Sequence, residues 1–104
     1  MNMAKVSFAS FKQNMDNMAQ YFKILCNPTR LNIIALLSES EYNVSEISAL
    51  TEIDQTVISN QLKELRYMNI VRSKRRGRKI FYSLNNPETR ELLEQCHMLV
   101  KQNK

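Results

Sequence analysis

A mainly helical fold carrying one small β-hairpin is predicted for this chain, and three observations predict it. Apolar residues recur at helical spacing through most of the 104 residues. Glycine and proline are scarce, with one Gly and two Pro, so few positions break a helix. One late segment, "RSKRRGRKIFYSL" from Arg72 to Leu84, instead alternates its side chains after a central glycine. The length suits one compact domain, and 43% apolar residues can build a core without disulfides or a metal. The expectation is a single domain over 1–104, with five helices and a two-stranded hairpin.

The first helix is expected from about Phe8 to Leu25. Phe8, Phe11, Met15, Met18, Phe22 and Leu25 are spaced alternately by three and four, an a/d seam. The seam is too short for a free-standing coiled coil and suits a mixture of core and dimer contact. "NPTRLNIIALLSES" follows, with Asn27 as N-cap and Pro28 at the first helical position, where its missing N–H costs nothing. Leu31, Ile33, Ile34, Leu36 and Leu37 cover most of this helix, which marks it as central. Asn43 and Glu46 then form a capping-box pattern before Val44, Ile47 and Leu50, a short amphipathic helix. "TEI" is the break. Asp54 caps a helix over about 54–68 that turns Ile58, Leu62 and Leu65 to one face. Asn69 suits the left-handed residue after it.

Gln55, Thr56, Ser59, Asn60 and Lys63 occupy the opposite side of that helix. An ordinary helical hairpin more often shows Glu and Lys outward. Short amides and hydroxyls can hydrogen-bond base edges, as Asn and Gln do with adenine. Two helices joined by a tight turn, the second carrying such a face, read as helix-turn-helix. The hairpin over about 70–84 follows directly, with Gly77 free to take positive φ at the bend. Ile80, Tyr82 and Leu84 share one strand face, and Lys79, Phe81 and Ser83 the other. A helix-turn-helix followed by a basic hairpin is a winged helix. The chain closes with a helix capped by Asn86, with Pro87 and Glu88 in its first turn. Leu92, Cys96 and Leu99 form one stripe on it, and Leu93, His97 and Val100 the next. Two stripes exceed what one contact buries, so a partner chain is expected on one of them.

Charge points the same way. The net charge is +5, and eight of the 15 lysines and arginines fall between Lys63 and Lys79, where Glu64 is the only acid. A local positive field of this kind attracts polyanions, although basic patches are also common as solvated surface. No apolar run is long enough to span a bilayer, and the N-terminus lacks the order of a signal peptide. The cytoplasm is therefore expected, with Cys26 and Cys96 as reduced thiols. These two are candidate thiol sensors, and Cys96 with His97 are weak candidates for a soft metal. The plainer reading, that free cysteines pack as small hydrophobes, is favoured by about three to one. Two Cys and one His cannot complete a four-ligand zinc site without carboxylates or a second subunit. No cofactor is required. No Ser/His/Asp order, glycine-rich phosphate loop or supported acid–base pair is present, so an enzyme is not expected.

These residues resemble the ArsR-type winged-helix repressors. "NPTRLNIIALL" is similar to their second helix, and "DQTVISNQLKELRYMNIV" to their recognition helix, with Ser59, Leu62, Lys63, Leu65 and Arg66 in place. "RSKRRGRKIFYSL" looks like their wing, with Gly77 at the tip and Tyr82 in the returning strand. The resemblance covers nearly the whole chain, and three linked motifs in order make it specific. It implies a homodimer held by the first and last helices, bound to a pseudo-palindromic double-stranded operator, usually as a repressor released by an effector. It implies base reading by Gln55, Thr56, Ser59, Asn60 and Lys63, and wing contacts by Lys74, Arg75, Arg76, Arg78 and Lys79. The chain departs from the pattern in three places. "YNVSEIS" lacks the paired cysteines of arsenite and cadmium sensors, "PETRELLEQCHMLVKQ" lacks the full ligand set of zinc and nickel sensors, and Glu52 stands where glycine is usual. The alternative reading is a winged-helix module that binds an acidic protein or RNA.

Overall fold

A computed structural model describes residues 5–102. Its helices are α1 (Phe8–Gln13), α2 (Met15–Leu25), α3 (Pro28–Leu37), α4 (Val44–Thr51), α5 (Gln55–Tyr67) and α6 (Pro87–Gln102), and its strands are β1 (Tyr42–Asn43), β2 (Val71–Arg76) and β3 (Lys79–Leu84). The winged helix-turn-helix is present. Two details differ from expectation. The first helix is divided, giving six among the described residues, and the wing carries a third strand.

The division falls at Asn14, whose Nδ2 donates to the Ser10 carbonyl at 3.0 Å. Its own N–H bonds the Phe11 carbonyl, three residues back, at 3.1 Å. A short amide competing for backbone partners tightens one turn and interrupts the α-helical ladder there. The hydrophobic spacing passes through that turn unchanged, so the seam carried no sign of it. Strand β1 pairs antiparallel with β3, Tyr42 opposite Tyr82 and Asn43 opposite Phe81, so the sheet order is β1-β3-β2. Two residues are too few for a strand pattern to register in sequence.

The caps lie where their residue types demand. Asn27 Oδ1 accepts from the Thr29 and Arg30 amides at 2.9 and 3.2 Å. Asn43 and Glu46 close a reciprocal capping box, both bonds at 2.9 Å. Asp54 accepts from the Thr56 amide at 2.9 Å. Glu52 takes φ 61°, ψ 29°, supplying the left-handed turn of the helix-turn-helix that a glycine would otherwise give. Asn69 is also left-handed, at φ 61°. The Ile70 amide reaches the Leu65 carbonyl at 2.9 Å and the Asn69 amide reaches Arg66 at 3.0 Å, a complete Schellman close to α5.

Ile33, Ile34, Ile47, Ile58, Leu62, Leu65 and Val71 are fully buried and bring α3, α4, α5 and β2 into one core. Helix α3 is central as expected, although its Leu31 is exposed. Leu50 of α4, expected inward, is 59% exposed. Helices α2 and α6 are tied by Tyr21 and the buried Thr89, whose oxygens lie 2.7 Å apart.

The hairpin register runs from Val71 opposite Leu84 to Arg76 opposite Lys79, leaving Gly77 and Arg78 as a two-residue turn. Gly77 has φ +64° and no heavy atom within 4 Å of where a Cβ would stand. Positive φ at Gly77 but not at Arg78 is the II′ pattern, which matches strand twist. Gly77→Ala therefore carries a backbone cost without a steric one. A loss of about 1 kcal/mol is expected in urea unfolding as the turn splays.

Candidate nucleic-acid interface

Helix α5 is held by one apolar stripe, Ile58, Leu62 and Leu65, and this leaves the face opposite the stripe available. Gln55, Thr56, Ser59, Asn60 and Lys63 are all exposed on it. Asp54 caps the end from which the first of these project, fixing the N-terminal turn that enters a groove in helix-turn-helix docking.

Strand β2 leaves the C-terminal end of α5 through Asn69 and Ile70, so the wing is attached rigidly to this helix. The Asn85 side chain donates to the Asn69 carbonyl at 3.0 Å, and its amide reaches the Ile70 carbonyl at 2.9 Å. Tyr82 and Leu84 pack on the core from β3. Lys74, Arg75, Arg76, Arg78 and Lys79 are all exposed along the ribbon. Four of them end in solvent or on the turn itself, where Arg75 donates to the Gly77 carbonyl at 3.3 Å. Arg76 is different. It forms an ion pair with Glu41, and its guanidinium lies 5.3 Å from the centroid of the Phe81 ring. Part of its charge is engaged by this surface pair, which links the wing to the segment that enters β1.

A groove of about 1440 Å³ runs beside α5. Ser59, Asn60 and Lys63 line it from the recognition helix, with Arg66 and Tyr67 further along. Gln20 and Lys23 of α2 line its other side, and Tyr82 closes it from the wing. Lys23 stands outside the basic run and no local pattern marks it. Only the packing of α2 on α3 brings it to the recognition helix. Tyr67 is 88% exposed. Glu64, the one acid of α5, is paired with Arg30 of α3.

A second surface is apolar. Phe8, Phe11, Met15 and Phe22 of the seam are exposed, Met18 is half-buried, and Leu25 alone of the seam is in the core. On α6, Leu92 and Leu93 pack on the core, whereas Met98, Leu99 and Val100 are 50 to 61% exposed. Helices α1, α2 and α6 thus turn large side chains outward, more than one isolated chain shields.

Cys26 and Cys96 are free thiols and both are exposed, so neither packs in this chain's core. Cys26 is the C-cap of α2 and Cys96 lies midway along α6, beside the exposed His97. No three His, Cys, Asp or Glu side chains come together as a metal site among the described residues. No described helix is long and apolar enough to cross a membrane.

The family model of the bacterial regulatory proteins of the arsR type matches residues 27–73, from the cap of α3 into β2. The chain is 30% identical over 88 residues to the biofilm growth-associated repressor of Xylella fastidiosa, covering 85% of this chain and 77% of that one. It is 27% identical over 96 residues to the transcriptional activator HlyU of Vibrio cholerae, covering 92% and 89%. Among solved structures it is similar to the homodimeric winged helix-turn-helix DNA-binding domain Mb0332 of Mycobacterium bovis, a possible ArsR-family regulator. That match has a TM-score of 0.78 at 26% identity and covers 97% of this chain and 93% of the other.

Proposed function

The chain belongs to the ArsR family of bacterial regulatory proteins and is a winged-helix DNA-binding regulator of transcription; from that premise we propose that it binds a two-fold operator in double-stranded DNA as a homodimer. Gln55, Thr56, Ser59, Asn60 and Lys63 read base edges in the major groove. Lys74, Arg75, Arg78 and Lys79 hold phosphates or enter the minor groove. Arg76 serves mainly to set the wing and contributes less to DNA. The observation that carries this reading is the junction of an exposed amide and hydroxyl face on α5 with a basic ribbon held rigidly to its end. The homodimer is supported by the exposed apolar side chains on α1, α2 and α6, and by the homodimeric state of the Mycobacterium bovis domain.

Repression is the mode the family resemblance implies, while the relatives include both an activator and a repressor. The sign of regulation then follows from where the operator lies relative to the promoter. Cys26 and Cys96 are both exposed in the single chain, so oxidant sensing is a role open to them. Operator binding with and without diamide or zinc, in parent and Cys→Ser variants, decides whether they do.

The test of base reading is selection from a random-sequence duplex library. The parent should enrich one inverted repeat. Ser59→Ala and Asn60→Ala should each relax preference at particular positions by about 1–3 kcal/mol and leave binding to scrambled duplex nearly unchanged. Equal losses on both duplexes would remove these residues from base reading. Preference for single-stranded RNA in the same gel shift would favour the RNA-binding alternative.

A further inference from the structure

Helix α5 meets the core through one stripe, Ile58, Leu62 and Leu65, each 0% exposed. Such a stripe sets how close the helix sits and fixes its roll to within the width of the stripe, and polar contacts on its flank narrow that further. Gln61 and Glu64 lie to one side of the stripe by helical spacing, and Ser59 and Lys63 to the other. Arg30 grips that first flank. Its Nε donates to Gln61 Oε1 at 2.7 Å, and another arm of the guanidinium pairs with the Glu64 carboxylate. Two acceptors one turn apart on the same helix are held by one planar fork. The Arg30 side chain is only 18% exposed, and its own amide is held by the Asn27 cap. Helix α3, from which it reaches, is itself anchored in the core by Ile33, Ile34 and Leu37.

We propose that Arg30 is a positioning residue that fixes the roll of the recognition helix, and so the aim of Ser59, Asn60 and Lys63 at base edges. The proposal rests on the reading of α5 as the base-reading helix. Arg30 also occupies the only carboxylate of α5, so that Glu64 is not left free beside DNA phosphates. Lysine cannot replace it, because a single ammonium lacks the rigid fork that spans both acceptors.

The test uses the full chain, the tightest duplex recovered from the random library, and a scrambled duplex of equal composition. Arg30→Gln should cut the ratio of the two affinities about tenfold or more, as expected when one member of a coupled network of side chains is removed. The salt dependence of binding should keep its slope, because Arg30 neutralises no phosphate. Arg30→Lys should not restore the ratio. Adding Glu64→Gln to Arg30→Gln should recover binding to both duplexes by removing repulsion, with the ratio still low. An unchanged ratio with a lowered melting temperature would reduce Arg30 to a structural role and overturn the proposal. Equal losses on both duplexes, with the slope smaller by about 0.9, would place Arg30 on a phosphate and overturn it equally. Should Arg30→Gln fail to fold, Gln61→Ala with Glu64→Ala removes the clamp from the solvent side, and an unchanged ratio there is equally decisive. If the parent enriches no duplex, base reading itself fails and the clamp falls with it. If it enriches one and Arg30→Gln keeps the ratio, only the clamp falls.

Discussion

Phe22→Glu, alone or with Leu99→Glu, is expected to leave a folded monomer that has lost at least about 100-fold in affinity for a two-half-site operator. Both side chains are more than half exposed in the single chain, so neither substitution opens a cavity. A carboxylate on a face that packs against its own copy would be buried beside another, and that cost falls on association. A C2 interface doubles every such change, because the same patch appears on both subunits. Light scattering at micromolar concentration should show the parent as a dimer and the variant as a monomer. Fluorescence anisotropy should show the variant binding one half-site about as well as the parent protomer does. A variant that remains dimeric, or a monomer that keeps full operator affinity, would move the dimer interface elsewhere.

The second large effect concerns the wing. Replacing Lys74, Arg75, Arg78 and Lys79 together by Ala should weaken binding to every duplex, and the slope of log affinity against log salt should fall by about 0.9 for each phosphate that the wing no longer neutralises. If all four side chains meet phosphates, the slope falls by about 3.6. Arg76→Ala should behave differently. Its charge is engaged by Glu41 and Phe81, so the slope should barely change while the hairpin loosens. A slope that drops equally for Arg76→Ala would show that the ion pair opens on DNA.

The parts legible in the sequence were those decided locally. Asn27, Asn43 with Glu46, Asp54 and Asn69 each satisfy a backbone group within a few residues, and each stands where its type alone placed it. Gly77 at the wing tip and the inward stripe of α5 were likewise readable from spacing. The first helix shows the limit of spacing, because a side chain that bends the backbone at Asn14 does so without disturbing the hydrophobic period. The cysteines show another limit. Their residue type favoured packing at a helix interface, and this chain's own core takes neither, so such packing would need a second copy. What sequence could not supply is pairing across distance. Arg30 with Gln61 and Glu64 joins residues |i−j| = 31 and 34 apart, Arg76 with Glu41 joins the wing to an unforeseen strand, and Lys23 reaches the groove only through tertiary packing.

The bracket that Asn85 makes with Asn69 and Ile70 has a mechanical consequence. The six residues of β2 carry the tip about 20 Å from that bracket, at about 3.3 Å per residue. A ribbon of that length is a lever. An angular error of about 10° at its root would displace the tip by about 3.5 Å, more than the length of one hydrogen bond. The two bonds at the fulcrum, the β1–β3 pairing and the Arg76–Glu41 ion pair together set the tolerance with which a cation at the tip would meet a phosphate.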